Sequence, residues 1–213
     1  NNILLGRITI DDVVDIIRSQ AEHQALGAAG LDEEEDLFSP IKRAVRGRVV
    51  WLGINLCTAF LAASVIGQFE LTLQKVVALA VLMPIVAGVG GNAAVQVLTL
   101  MVRGIALGQV GQSNARILLW KESRVALING TLIGTVVGII AYLWFHSFLL
   151  SLVITMALII NFCAAALAGV LLPLLLKRMN VDPAVAGPVV VTAVTDVMGF
   201  FSFLGLASLI LLH

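Results

Sequence analysis

Asp196 is the one acidic side chain inside the long apolar stretches of this chain. It lies in Val185–Leu212, among Val, Ala, Gly, Thr, Phe, Leu, Ser, Met and Pro. A carboxylate at the centre of a bilayer costs roughly 2.5–3.5 kcal/mol on insertion scales, so it normally faces protein or a water-filled path. An ion or proton site is the chemistry this placement allows. Thr192, Asp196 and Gly199 follow at i, i+4 and i+7, which predicts one small polar stripe suited to a water-filled wall. A second polar pair, Asn92 and Gln96, sits beside Gly88, Gly90 and Gly91 in another apolar stretch. Spaced four apart, the two amides share a helix face. They serve either as interhelical hydrogen-bond donors or as pathway residues. Asn161 carries the same two readings. Lys121 and Glu122 read as interfacial charges, with Asn129 one or two turns further in. Asp182 before Pro183 reads as a helix cap.

Enzyme chemistry finds no support. No His/Glu pair has zinc-ligand spacing, no glycine-rich loop ends in Lys-Ser/Thr, and no Ser or Cys has a His base within the apolar stretches. Cys57 and Cys163 both lie in apolar segments and behave as small apolar residues rather than a disulfide framework.

The elements that must carry these residues are membrane spans. The chain is 60% hydrophobic and 12% charged, against about 25% charged in soluble domains. A span needs about 20 residues, and five segments qualify: Val49–Phe69, Val76–Val102, Val125–Phe145, Leu149–Leu176 and Val185–Leu212. The second, fourth and fifth are long, and Pro84 and Gly187-Pro188 predict kinks or breaks. Lys42, Arg43, Arg46 and Arg48 precede the first span. Arg103, Arg116, Lys121 and Arg124 separate the second and third, and Lys177 and Arg178 the fourth and fifth. The opposite loops carry Lys75, with His146 close by. The positive-inside rule then puts the N-terminus in the cytoplasm and the C-terminus outside. Trp51, Trp120 and Trp144 fit interfacial anchoring. An odd number of spans argues against simple internal duplication. Five helices enclose little, so a pore shared across the two-fold axis of a homodimer is expected.

Asn1–Pro40 differs in kind. It holds a β-branched run at Ile8-Thr9-Ile10, then a helix capped by Asp11 or Asp12 and interrupted by Gly27 and Gly30. Asp32–Asp36 is a run of acids read as a solvated connector or a weak cation-attracting patch. Asn1–Arg18 lacks a secretory signal pattern, and the abrupt start predicts a piece cut from a longer protein.

Pro84, Gly88, Gly90-Gly91-Asn92, Gln96, then Lys121-Glu122, Asp182-Pro183, Thr195-Asp196-Val197 and Gly199, in that order, resemble the MgtE family of magnesium channels and transporters. Gly6–Asp15 resembles the end of that family's tandem CBS domain. The resemblance implies three parts: a CBS remnant at 1–21, a connecting plug helix and linker at 22–48, and a five-helix pore domain at 49–213. It implies an all-α integral membrane fold, a homodimer with one pore on the two-fold axis, preceded by a cytosolic amphipathic helix. The implied cargo is Mg²⁺, with Co²⁺ or Mn²⁺ as further divalents, crossing the cell membrane down its electrochemical gradient. Asp196 from both subunits would hold the hydrated ion, with Thr192 and Asn92 along the path. Asp12, Asp15 and Asp182 match the family's regulatory Mg²⁺ sites. The family often reads Glu-Ala-Thr-Glu-Asp where this chain has Gln20-Ala21-Glu22-His23-Gln24. Fewer acids there imply weak closure by cytosolic Mg²⁺. Gly187-Pro188 also falls one residue earlier, relative to Asp196, than in the family. The competing expectation is a proton-coupled carrier with Asp196 as relay.

Overall fold

The structure is a computed structural model that describes residues 9–31, 38, 40–111 and 114–212. The acid run Asp32–Asp36 lies outside the described residues. The described chain is all-α: α1 (Ile10–Ala28), α2 (Ile41–Gly67), α3 (Glu70–Lys75), α4 (Ala78–Ala106), α5 (Ala115–Phe145), α6 (Phe148–Arg178) and α7 (Pro183–Leu211). Five of these contain apolar spans of 24 to 31 residues, long enough to cross a membrane. They match the five expected segments in order.

The bounds differ in instructive places. Helix α5 begins at Ala115 rather than Val125, so Arg116, Lys121, Glu122 and Arg124 ride on its first turns and not in a loop. Long basic side chains can run back towards the interface while the backbone stays helical, so the helix outlasts its apolar run. The connector carrying Lys75 is itself a short helix, α3. Pro84 and Pro188 lie within continuous helices, so the expected break at Gly187-Pro188 does not occur.

Helix α1 starts two or three positions earlier than an Asp11 or Asp12 cap requires. Thr9 is the cap residue, in extended conformation. Its backbone N–H and its hydroxyl donate to Asp12 Oδ2 at 2.7 and 2.8 Å, which meets an orphan donor of the helix start. Gly27 does not interrupt the helix; it is buried within it, and a Cβ there would lie 2.9 Å from Val185 Cγ2 of α7. Gly30 ends the helix at φ +72°, seated against the Trp51 indole. Bonds from Gly30 N to Gly27 O and Leu31 N to Leu26 O complete the stop, a left-handed cap that favours glycine. Trp51 is therefore a packing partner of this corner. The helix runs unbroken through residues 21 and 22.

Helix α7 is the hub, touching α1, α2, α3, α4 and α6. Helices α5 and α6 form a hairpin. Gly130, Gly134 and Gly138 line the α5 face that meets Ile159, Phe162, Thr155 and Ser151 of α6. Ser151 Oγ donates to Gly138 O at 2.6 Å, and Thr155 Oγ1 to Gly134 O at 3.1 Å. Small residues every fourth position let backbones approach, the usual means of helix association where water supplies no drive. One core cluster joins Leu79, Leu82 and Val86 to Ile154, Leu158, Phe203 and Leu204. A second joins Ala94 and Leu98 to Ala165, Ala168 and Val191. Between them lies a layer of different chemistry.

Candidate functional site

The layer is built from Asn161, glycine and threonine, midway along three helices. Asn161 of α6 is 0% exposed. Its Nδ2 donates to Val86 O of α4 at 3.0 Å. Its Oδ1 is buried with no partner among the described residues. The amide has room because its neighbours are Gly90 and Gly199. A Cβ on Gly90 would strike the Asn161 amide, and one on Gly199 would lie 2.7 Å from Nδ2. Asn161 is thus an interhelical clamp between α4 and α7. Gly199, expected on a water-filled wall beside Asp196, is instead buried in the seat of that clamp. Helix periodicity groups Gly199 with Asp196, but a stripe some 100° wide has two edges, and packing decides which edge is covered.

Beside the clamp, α4 and α7 approach closely at Gly91. A Cβ there would sit 3.6 Å from Thr192 Cγ2 and 3.9 Å from Thr195 Oγ1. This sets Gly91-Asn92 of α4 level with Thr192–Asp196 of α7. Thr195 is fully buried, and its hydroxyl donates to Val191 O and Thr192 O at 3.2 and 2.9 Å. Thr192 is half-buried and donates to Pro188 O at 2.7 Å. Its hydroxyl proton is used within the helix, leaving its oxygen as an acceptor. Asp196, the next residue after Thr195, is half-buried, and its carboxylate has no hydrogen bond or ion pair among the described residues. Asn92 and Gln96 are both exposed, on an open face of α4 that also carries Pro84 and Gly88. The expected trio Asp196, Thr192 and Asn92 is therefore brought to one level. What the layer offers a cation is carboxylate, hydroxyl and amide oxygen, the hard donor set that Mg²⁺ and Ca²⁺ take.

The other expected ligands lie elsewhere. Asp182 caps α7, accepting from Ala184 N at 2.8 Å, as its position before Pro183 predicts. Asp12 and Asp15 are exposed near the start of α1. They stand roughly 20 Å of helix from the contact of Gly27 with Val185, at 1.5 Å per residue. Hydrogen bonds from the Thr9 backbone and then its hydroxyl hold the Asp12 carboxyl below its ordinary range. Among the described residues no three His, Cys, Asp or Glu side chains gather as a metal cluster. Glu122, read as an interfacial charge, and Asn129, read as one or two turns further in, meet Gln96 on one crevice. Their i, i+7 spacing puts the two α5 residues on one face.

Residues 83–206 match the sequence profile of the MgtE family, described as divalent cation transporters. The chain is similar to the magnesium transporter MgtE of Bacillus subtilis (strain 168), 29% identical over 210 residues, covering 98% of this chain and 46% of the relative. It is 34% identical over 206 residues to the magnesium transporter MgtE of Enterococcus faecalis, covering 97% and 45%. The magnesium transporter MgtE of Thermus thermophilus is 34% identical over 213 residues, covering 98% and 46%. The chain spans about half the length of the curated relatives it matches.

Proposed function

The chain belongs to the MgtE family of divalent cation transporters, and on that premise we propose that it forms the ion path of a Mg²⁺ channel, with Asp196 as the ion-binding carboxylate. The family is one of transporters rather than enzymes. The observation that carries the reading is the Asp196 carboxylate: mid-helix, half-buried, and unpaired among the described residues, with Thr192 and Asn92 at its level. A charge so placed is stable only beside a polar path or a counter-cation. Mg²⁺ dehydrates reluctantly and is held through its waters and one or two carboxylates. A pair of Asp196 side chains across a two-fold axis supplies that arrangement. The homodimer is supported by the open face of α4, where Asn92 is exposed, with Gln96 one turn on at the rim of the crevice between α4, α5 and α6. Two exposed amides at mid-membrane depth call for protein or water against them rather than lipid. The basic residues at the α4–α5 and α6–α7 connections support a cytoplasmic N-terminus and an external C-terminus.

Regulation is read from α1. Its C-terminal end packs on the first turn of α7, through Gly27 and Val185. Movement of α1 would act on the helix that bears Asp196. Asp12, Asp15 and Asp182 are the acids available to such a switch, with further ligands supplied by chain beyond the described residues or by a second subunit.

The test is Asp196→Asn in proteoliposomes loaded with a Mg²⁺-sensitive dye. Uptake is expected to fall to the rate of empty vesicles while the protein elutes and melts as the parent does. Parental uptake in this variant would sink the reading. Uptake that needs a proton gradient, and that carries protons in fixed ratio, would favour a proton-coupled carrier with Asp196 as relay.

A further inference from the structure

A crevice of about 130 Å³ opens between α4, α5 and α6, away from α7. Its wall is mostly Ala93, Val97, Val125, Ala126, Phe162 and Ala165, yet three polar side chains converge on it: Gln96, Glu122 and Asn129. Glu122 is the unusual member. It is 8% exposed in an otherwise apolar wall, two turns inside the start of α5. Carboxylates are almost never that buried unless paired. Its partner is Lys121, with Nζ 3.4 Å from Oε1, but that lysine side chain is 66% exposed. A mobile, solvated ammonium at that distance makes a weak pair. Gln96 and Asn129 are exposed at the crevice mouth, and their amides make no hydrogen bond among the described residues. Each can turn an amide oxygen towards the carboxylate. A water takes about 30 Å³ of liquid volume, so the crevice has room for roughly four.

We propose that this crevice is a second, low-affinity site for a hydrated divalent cation, held by the Glu122 carboxylate with the amide oxygens of Gln96 and Asn129. The donor set is all oxygen, as hard cations require, and the volume leaves room for an incomplete water shell. One carboxylate and two neutral amides make a weak site; sites poor in charge bind at about millimolar levels. Lys121 is its competitor. The divalent cation binds Glu122 when the lysine swings out to solvent, so the site responds to both charges. No residue of the crevice belongs to α7, and the site stands independently of the reading of Asp196.

Mn²⁺ is the probe, counted by loss of the free-ion electron paramagnetic resonance signal on the full chain in detergent. In an Asp196→Asn background the part of the remaining binding that is lost with Glu122 reports the crevice. Glu122→Gln, which keeps shape and hydrogen bonding, is expected to weaken that binding at least tenfold. Lys121→Met is expected to tighten it by about tenfold, the size of effect one adjacent charge has on a titrating group. Mg²⁺ is expected to displace the Mn²⁺, and Na⁺ of equal ionic strength is not. Unchanged binding in Glu122→Gln, with or without altered stability, overturns the proposal. Unchanged or weakened binding in Lys121→Met overturns it as well, and that variant decides the matter if Glu122→Gln fails to fold. If Asp196→Asn by itself removes no bound Mn²⁺, the pore reading loses support while this one stands.

Discussion

Helices α2 and α6 are both apolar enough to cross a membrane, yet 44% of the most apolar window of α6 is buried within the chain and only 6% of that of α2. The difference lies in side-chain size and polarity rather than hydropathy. Helix α6 carries Ala157, Ala164, Ala165, Ala166, Ala168 and Gly169, with Asn161 at the centre, and is buried on most sides. Helix α2 turns Val49, Val50, Leu52, Leu56, Phe60 and Leu61 outward and touches only α7 closely. Lipid tails are as apolar as leucine, so large apolar side chains gain little by choosing protein over lipid. Small residues gain by bringing backbones together, and an amide gains a hydrogen bond. Hydropathy thus selects the spans, and small and polar residues select which spans form the core. The same division separates the packed group α4–α7 from the peripheral α1 and α2.

The largest expected effect tests that division with one substitution in each region. A Cβ on Gly134 would stand 3.0 Å from the Thr155 carbonyl oxygen, a backbone atom that cannot turn aside. Gly134→Leu is expected to cost about 3 kcal/mol or more, at the upper end of core overpacking, and to be seen as loss of the monodisperse, heat-stable protein in detergent. Gly53 of α2 has nothing within 4 Å of its would-be Cβ, so Gly53→Leu is expected to stay within about 0.5 kcal/mol of the parent. Equal losses would break the comparison.

A middle-sized effect is expected at the two asparagines. Asn161→Ala removes the bond to Val86 O, and interhelical hydrogen bonds in membranes average about 0.6 and reach about 1.7 kcal/mol. The orphaned Oδ1 goes with it, which offsets part of the loss. A drop of about 1 kcal/mol in thermal stability is expected. Asn55 of α2 is half-buried on the side that carries Trp51, Thr58 and Ala62, and its amide makes no hydrogen bond among the described residues, so Asn55→Ala is expected to cost less than Asn161→Ala. An equal or larger drop for Asn55→Ala would break the contrast.

The smallest effect concerns α1. Asp12 is fully exposed, and its carboxyl is held low by hydrogen bonds from Thr9. Its folded value lies below the unfolded value of about 3.9. The cap's contribution is therefore complete above that pH and is lost as pH falls through the lowered folded value. Amide exchange in the first turn of α1 is expected to quicken only below about pH 4, with no matching step in α6. Asp12→Asn, which cannot titrate, is expected to abolish the step; a step that survives would remove the role of the cap.

Much of this was legible before the fold. The five spans, their order and the cap at Asp182 follow from hydropathy and from the capping preference of Asp before Pro, and the cost of charge in lipid singles out Asp196 as the candidate ion site. Those are properties of single residues or of neighbours along the chain. The start of α5 was misplaced because apolar content marks where lipid begins, not where the helix does. The role of Gly199 was misassigned because periodicity places residues on a face without saying what that face meets.

Sequence alone determined that this is a multi-span chain with one acid inside its apolar stretches, because insertion costs act residue by residue, and the order of its motifs carried the MgtE resemblance that the match over residues 83–206 bears out. Only the tertiary structure decided that Asn161 clamps α4 and α7 through two glycines, that Gly91 sets Asn92 level with Asp196, and that Glu122 shares a crevice with Gln96 and Asn129. Each of those depends on backbones meeting across tens of residues, where steric fit and hydrogen-bond geometry decide between faces that hydropathy scores alike.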